Sequence, residues 1–216
     1  LSLFITFEGP DGSGKSTQIK LLAKYLEEKN IPFLLTREPG GTGISDQIRK
    51  VILDPNNKEM KNETEVLLYA ASRAQHVREK IIPALKEGKI VLCDRFVDAS
   101  IAYQGYGLGV PIEKVKEVNL FATGNLKPDR TYLLDISPEE GKERMLERLQ
   151  RQGDTSLDRI ELKESSYHET VREGFHTLYK ENKDRMLLVH ANRSVEEIFS
   201  DIKRDFNELI GKENIV

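Results

Sequence analysis

Five short apolar runs punctuate the chain. Each is followed by a longer segment in which apolar residues return every three or four positions. The runs are Leu3–Phe7, Phe33–Thr36, Ile90–Cys93, Thr131–Leu134 and Met186–Val189. Continuous apolar runs of this length suit strands buried on both faces, and their alternation with helical periodicity predicts a parallel sheet covered by helices. Helices are expected over about Lys15–Lys29, Ile44–Leu53, Glu63–Glu87, Ile112–Phe121, Pro138–Gln150, Leu162–Lys180 and Val195–Leu209. The first carries an inward stripe of Ile19, Leu22, Ala23 and Leu26, and Asn30 with Pro32 ends it. The third is expected to bend near Pro83. Ser137-Pro138-Glu139-Glu140 reads as a capping box with proline at the first helical position. The fold class that follows is α/β, three layers deep, with a central parallel sheet of about five strands. One domain is expected over residues 1–216, with a polar, mobile stretch at Leu149–Leu157.

The turn after the first run carries the chemistry. Gly9, Pro10, Asp11, Gly12, Ser13, Gly14, Lys15, Ser16 and Thr17 form the spacing Gly-x-x-x-x-Gly-Lys-Ser between a strand and a helix. This is a phosphate-binding loop. The glycines let backbone N–H groups curl inward, and the following helix directs its positive end at the same point. Lys15 supplies a cation to the outer phosphates, and the Ser16 hydroxyl is a ligand for Mg²⁺. A plain glycine turn would leave Lys15-Ser16-Thr17 unexplained.

The totals exclude several classes. In 216 residues, charged residues are 32%, apolar residues 38%, and the net charge is −3. A general nucleic-acid binder needs a basic surplus. The apolar runs fall far short of the roughly 20 residues that span a bilayer, so neither nucleic acid nor a membrane is an expected partner. Cys93 is the single cysteine, and His76, His168, His176 and His190 lack ligand spacing, so structural or surface roles are expected for them. No basic-then-apolar leader precedes the first run, and a reducing cytoplasm fits these features.

A second motif lies at the end of the third run, where Ile90–Cys93 leads into Asp94-Arg95. A carboxylate at the carboxyl end of a parallel strand sits where open α/β sheets bind ligands, and beside a phosphate loop Asp94 would orient Mg²⁺ or its waters. No guanine-reading Asn-Lys-x-Asp is present. Arg37, Arg49, Arg73 and Arg95 fall near the segments after the first three strands, and arginine clusters suit bidentate phosphate recognition. These features favour a kinase. A phosphate-monoester acceptor, with its second pKa near about 6, is largely dianionic at pH 7 and needs no general base. The absence of a His-Arg-Asp loop agrees with such an acceptor.

The blocks FITFEGPDGSGKST, TREPGGTG, EVLLYAASRAQH, VLCDRF, ASIAYQGYG, KPDRTYLLDISPEEG and DRIE occur in an order and spacing that resemble the bacterial thymidylate kinases along nearly the whole chain. The resemblance implies a nucleoside-monophosphate-kinase fold, with transfer of the γ-phosphoryl of ATP to dTMP, Mg²⁺ as cofactor and a homodimer packed through helices. It implies that Asp11 sits by the sugar 3′-hydroxyl and that Arg49 and Arg95 clamp the acceptor phosphate. Arg37, Glu38 and Pro39 would line the same crevice, with Glu38 also near Mg²⁺-bound water. Tyr69 takes the place of the family's stacking aromatic, usually Phe. Arg73 would bond a base carbonyl, Ser100 and Gln104 would read the base edge, and Tyr103 would crowd the sugar 2′ position. A core role for Tyr69 beside Val66, Leu67 and Ala70 competes with the stacking role. Ala99 stands where many relatives have Ser. The third helix, with Leu67, Leu68 and Ala71, is a candidate dimer surface, and adenine is expected over Asn192-Arg193-Ser194.

Some relatives carry arginine just after the loop's acid, where this chain has Gly12. The compensating cation is then expected from a lid at about residues 142–158. Arg144, Arg148 and Arg151 share one helix face, and Arg148 or Arg151 is the expected catalytic arginine. A solvated face paired with Glu139, Glu143 and Glu147 is the competing role. Two rival functions remain open at this point: a kinase for dUMP, UMP or CMP, and a nucleotide-holding regulator without transfer.

Overall fold

The computed structural model describes residues 2–153 and 156–213. Asp154 and Thr155, within the stretch expected to be mobile, lie outside the described residues. Five strands, β1 (Phe4–Glu8), β2 (Phe33–Arg37), β3 (Ile90–Asp94), β4 (Arg130–Asp135) and β5 (Met186–His190), form one sheet in the order β2-β3-β1-β4-β5. Every pairing is parallel. Helices are α1 (Lys15–Glu28), α2 (Gly43–Leu53), α3 (Asn62–His76), α4 (Ile82–Lys86), α5 (Val97–Ser100), α6 (Ile112–Thr123), α7 (Pro138–Gln152), α8 (Ser165–Glu181) and α9 (Val195–Glu213).

Alternation along β1 divides the core between the two faces of the sheet. Leu3, Ile5 and Phe7 pack with Ile19, Leu22 and Leu26 of α1 and with Ile198, Ile202 and Phe206 of α9. Phe4 faces the other way, among Val77, Ile81, Val91, Cys93 and Phe96. Further along that face, Val115 of α6 and Val171, Phe175 and Leu178 of α8 build a second cluster around Ala102 and Tyr103. The three layers and five parallel strands expected from the pattern are therefore present.

Each strand runs one residue beyond the expected carboxyl end, which sets Glu8, Arg37, Asp94, Asp135 and His190 along one edge of the sheet. The third helix differs more. It holds α geometry only to His76, widens into a π turn at Val77–Ile81, and resumes as α4. Pro83 lacks an N–H and its ring crowds the carbonyl four residues back, so the helix adjusts one turn earlier, where the Ile82 N–H reaches the Val77 carbonyl. The pattern also concealed α5 and the π-helical turn after it, Ile101–Gly107. Two glycines weaken helix propensity there. Packing favours them: a Cβ at Gly107 would stand 2.6 Å from a Tyr167 ring carbon and 2.8 Å from Val171 Cγ2, and one at Gly105 would push the Ile112 Cδ1 methyl, 2.6 Å away, aside. α8 starts at Ser165 instead of Leu162, because Asp158 Oδ1 accepts the Ile160 and Glu161 N–H groups and closes a turn first.

Candidate active site

The strand order reverses at β1, whose neighbours β3 and β4 leave it on opposite sides. A ligand crevice in such a sheet opens outside the carboxyl ends at this switch point. The loop from Gly9 to Gly14 lies there, followed directly by α1. α1 has no acidic residue in its first turn and no side-chain cap, so its first amides face the loop without a competing carboxylate. Gly9 has φ +133°, and a Cβ on it would meet the Leu134 carbonyl oxygen at 2.2 Å. A Cβ on Gly12 (φ +77°) would stand 2.0 Å from the Gly141 carbonyl oxygen in α7. α7 thus leaves no space for a side chain at position 12.

Lys15 folds back over the loop, its Nζ donating to the Gly9 and Pro10 carbonyls at 2.9 and 2.8 Å. Burial, and then the charge of Arg95, lowers its ammonium to about 8. Ser16 Oγ donates to Asp94 Oδ2 at 3.0 Å, so the two candidate Mg²⁺ ligands already stand side by side. Both are hard oxygens beside a phosphate loop, the donor set that Mg²⁺ takes while keeping phosphate and water ligands. Among the described residues, no group of three or more His, Cys, Asp or Glu is placed to hold a metal ion.

Arg95 follows Asp94 in a left-handed conformation, φ 70°. Its N–H bonds the Phe7 carbonyl, and the next amide, Phe96 N–H, donates to Glu8 Oε1 at 2.7 Å. The side chain therefore turns back toward the loop. Nη1 donates to Gly9 O at 3.1 Å and Nη2 to Asp11 Oδ1 at 2.6 Å, while the guanidinium lies over the Tyr103 ring, 4.9 Å from its centroid. Burial opposes ionisation of Asp11, but Arg95 and Lys15 outweigh it and hold the carboxyl at about 2. Tyr103 Oη donates to the other Asp11 oxygen at 3.2 Å, and burial keeps this phenol protonated.

A crevice of about 560 Å³, open solvent included, runs from Asp11 between α2, α3 and the α5 segment. Its lining includes Asp11, Glu38, Pro39, Arg49, Tyr69, Arg73, Arg95, Ser100, Tyr103 and Gln104. All but one of the expected dTMP-binding residues meet there. Arg37 is the exception: it is half exposed and does not line the crevice, its Nη2 lying 3.6 Å from Asp46. Arg37 and Arg49 both donate to the Pro39 carbonyl, at 3.2 and 2.9 Å, so they share an anchor at the crevice rim. Tyr69 is half-buried on the crevice wall, and burial, reinforced by Glu65, raises its hydroxyl pKa. Gln104 Nε2 donates to Glu65 at 3.0 Å, and its Oε1 is buried without a partner among the described residues.

Glu38 turns both oxygens away from the loop, to Arg73 Nε at 2.6 Å and His76 Nδ1 at 2.9 Å. That buried pairing sets it apart from the Ser16–Asp94 pair. The three α7 arginines expected to share a helix face diverge. Arg144 bonds the Ala191 carbonyl, Arg148 lies 4.0 Å from Glu161, and Arg151 is 80% exposed beside Glu147.

Pattern reading missed His76 and Asn119, whose roles come from chain-distant partners, and Glu8, which is buried at the end of β1. It also missed Asp158 and Ile160, which line the crevice from the DRIE block. Arg159 of that block ties the segment between α7 and α8 to α3 through Glu65 at 2.5 Å.

A profile of the thymidylate kinases matches residues 7–202. The chain belongs to the thymidylate kinase family. It is 53% identical to a thymidylate kinase of Exiguobacterium sibiricum over 94% of this chain and 92% of that protein. It is 50% identical to a thymidylate kinase of Symbiobacterium thermophilum, over 97% and 95%. The crystal structure of thymidylate kinase from Ehrlichia chaffeensis superposes with a TM-score of 0.74 at 32% identity, covering 95% of this chain and 98% of that one. With a P-loop, a five-stranded parallel sheet and this family, the chain is a nucleotide kinase of the dTMP kinase class.

Proposed function

We propose that the crevice holds dTMP and the loop holds ATP, so that the γ-phosphoryl passes between them to give dTDP and ADP. The observation that carries this reading is the side-by-side placement of Lys15 and Arg95, which both donate to the Gly9 carbonyl, Arg95 also pairing with Asp11, where the loop opens into a base-sized crevice. The acceptor phosphate is already an anion, so the task is to bring two anions into line and stabilise the charge that spreads over the transferring group. Lys15 leaves its loop carbonyls for the outer phosphates of ATP. Arg95 and Arg49 hold the acceptor phosphate, with Arg37 at the rim. Asp11, ionised at neutral pH, receives the sugar 3′-hydroxyl. Tyr69 stacks under thymine, Arg73 donates to a base carbonyl, and Ser100 and Gln104 meet the remaining base edge. The unpartnered Gln104 oxygen is the acceptor that a base N–H requires. Tyr103 stands against the 2′ position and favours deoxyribose.

Ser16 and Asp94 would hold Mg²⁺. When bound, the ion neutralises charge on the phosphate oxygens. Residues 142–158 act as the lid. Of its arginines Arg148 is better placed than Arg151, since it reaches across to the Asp158–Glu161 turn at the crevice edge. Adenine lies over Asn192-Arg193-Ser194. Following dTDP by ³¹P NMR tests the reading: product should appear mole for mole with ADP, and ADP without dTDP would refute it.

The lid carries its own expectation. Arg148→Ala lowers kcat at least about tenfold in steady-state kinetics, whereas Arg151→Ala, which loses a solvent-screened pair, changes it less. Equal, small effects would remove the lid from the chemistry.

The assembly is a homodimer through α3 and α6, where Leu67, Leu120 and Phe121 are 59%, 52% and 88% exposed. A cluster of large apolar side chains left in water is characteristic of an interface. Phe121→Glu should therefore give a monomer by light scattering; a wild-type chain already monomeric at micromolar concentration would contradict the dimer. No described helix is long and apolar enough to cross a membrane, and the cytoplasm is the compartment this substrate pair suits.

A further inference from the structure

Arg73 is 2% exposed, and almost all of its hydrogen-bonding capacity is used inside the protein. Of five guanidinium N–H groups, Nε donates to Glu38 Oε2 at 2.6 Å, Nη1 to Ser100 Oγ at 2.9 Å and to Asn119 Oδ1, and Nη2 to the Phe96 carbonyl at 2.9 Å. One Nη2 N–H remains, and the guanidinium forms part of the crevice wall. A planar group pinned on four bonds presents that last donor in one direction only.

The strongest of these anchors is itself anchored. Glu38 Oε1 lies 2.9 Å from His76 Nδ1, and His76 Nε2 lies 2.7 Å from Thr36 Oγ1. A carboxylate only accepts, so Nδ1 carries the proton toward Glu38, and Nε2 is free to accept the Thr36 hydroxyl proton. The ring has no exposed surface, and the bare Cα of Gly41 makes room for it: a Cβ there would stand 2.7 Å from Nε2. Thr36 belongs to β2, which is paired along its length with β3. The contacts Thr36–His76–Glu38–Arg73 thus run without a break from the rigid sheet to the crevice wall.

We propose that His76 is a positioning residue that sets the direction of the Arg73 donor through Glu38, and so tunes discrimination between keto and amino pyrimidines. The inference rests on the reading of Arg73 as a base contact. Read as a contact to the carbonyl at position 4 of thymine, a fixed donor pairs with it and opposes the amino group cytosine carries there. Without His76, one Glu38 oxygen is left unpaired in a buried site. The carboxylate then reorients, and the guanidinium can turn to serve other base edges. Selectivity should fall, and merely weaker packing would not produce that signature.

The experiment compares His76→Leu, His76→Asn, Thr36→Val and Arg73→Lys. It measures kcat and KM for dTMP, KM for ATP, and the ratio of kcat/KM for dTMP over dCMP, with circular dichroism to confirm folding. His76→Leu should raise the dTMP KM and lower the dTMP/dCMP ratio, each about tenfold. Its ATP KM should stay within about twofold of wild type. His76→Asn, which keeps a donor for Glu38, should recover most of the loss, and Thr36→Val should show a smaller shift of the same kind. Those two variants decide the matter if the leucine variant does not fold. Unchanged selectivity in His76→Leu, equal losses toward both substrates, or no recovery with asparagine would overturn the inference. If Arg73→Lys loses selectivity while His76→Leu keeps it, the base reading stands and the positioning role alone fails. If Arg73→Lys keeps selectivity, the base reading fails and the inference falls with it.

Discussion

Arg95→Ala should lower kcat/KM for dTMP about a thousandfold while moving the KM for ATP far less. The magnitude follows from removing a pre-oriented charged donor at the point where two anions meet, which costs roughly 10²- to 10³-fold; the two N–H groups of one guanidinium act as a unit, so their losses do not multiply. Pre-orientation is visible in the backbone. The left-handed turn at Arg95 aims the guanidinium at Gly9 and Asp11, and the Tyr103 ring supports it from beneath. Asp11 reports the same change from the other side. With Arg95 gone, burial faces Lys15 and the weaker pull of His168, so the Asp11 carboxyl should rise from about 2 toward its ordinary range. Arg95→Lys keeps the charge but loses the fork, and should recover only part of the activity. A variant with near wild-type kcat/KM would show that Arg95 is a structural pair and not the acceptor clamp.

Glu8→Gln should stabilise the protein at alkaline pH. Glu8 is fully buried at the end of β1; one oxygen accepts the Phe96 N–H and the other has no partner among the described residues. Burial, and then repulsion from Asp98, raises its carboxyl to about 8, against the pull of Arg95 and Lys15. The folded chain therefore holds a proton that the unfolded chain has released above about pH 4.5. Between that value and about 8 the native state binds more protons, so the Glu8 contribution is complete below the window and fades as pH rises through it. The full effect is roughly 3 to 5 kcal/mol. Glutamine keeps the acceptor and cannot ionise. The melting temperature of Glu8→Gln should exceed that of wild type by about 5 °C or more at pH 9, with the gap closing toward pH 5. Parallel melting curves across that range would show that Glu8 is ionised, or exposed to water, in the folded state.

The loop motif was legible because all its parts are local. From Gly9 to Thr17, each residue's role follows from its neighbours and from the strand and helix on either side. The sheet was legible for a similar reason, since strands buried on both faces read as unbroken apolar runs. The segment Val97–Gly107 was not, because Gly107 fits closely against Tyr167 and Val171 only in the folded chain, and local propensity points away from a helix there. Glu38 shows the limit for site chemistry. Its motif placed it in the crevice, but its partners, Arg73 and His76, come from α3, and only the fold brings those oxygens and cations together. The α7 arginines illustrate the same limit. Helical spacing puts Arg144, Arg148 and Arg151 on one face, yet their ends go to Ala191, Glu161 and Glu147.

The central claim is that one anion-binding loop and one base-reading crevice act on two nucleotides at once. Coupled measurement of ADP release with ATP and Mg²⁺, with and without dTMP and then with dUMP, UMP and CMP in its place, tests it most directly. The account predicts turnover that depends on dTMP and falls across the other three, most steeply for the ribonucleotides UMP and CMP. ADP release at the same rate whether or not dTMP is supplied would contradict it.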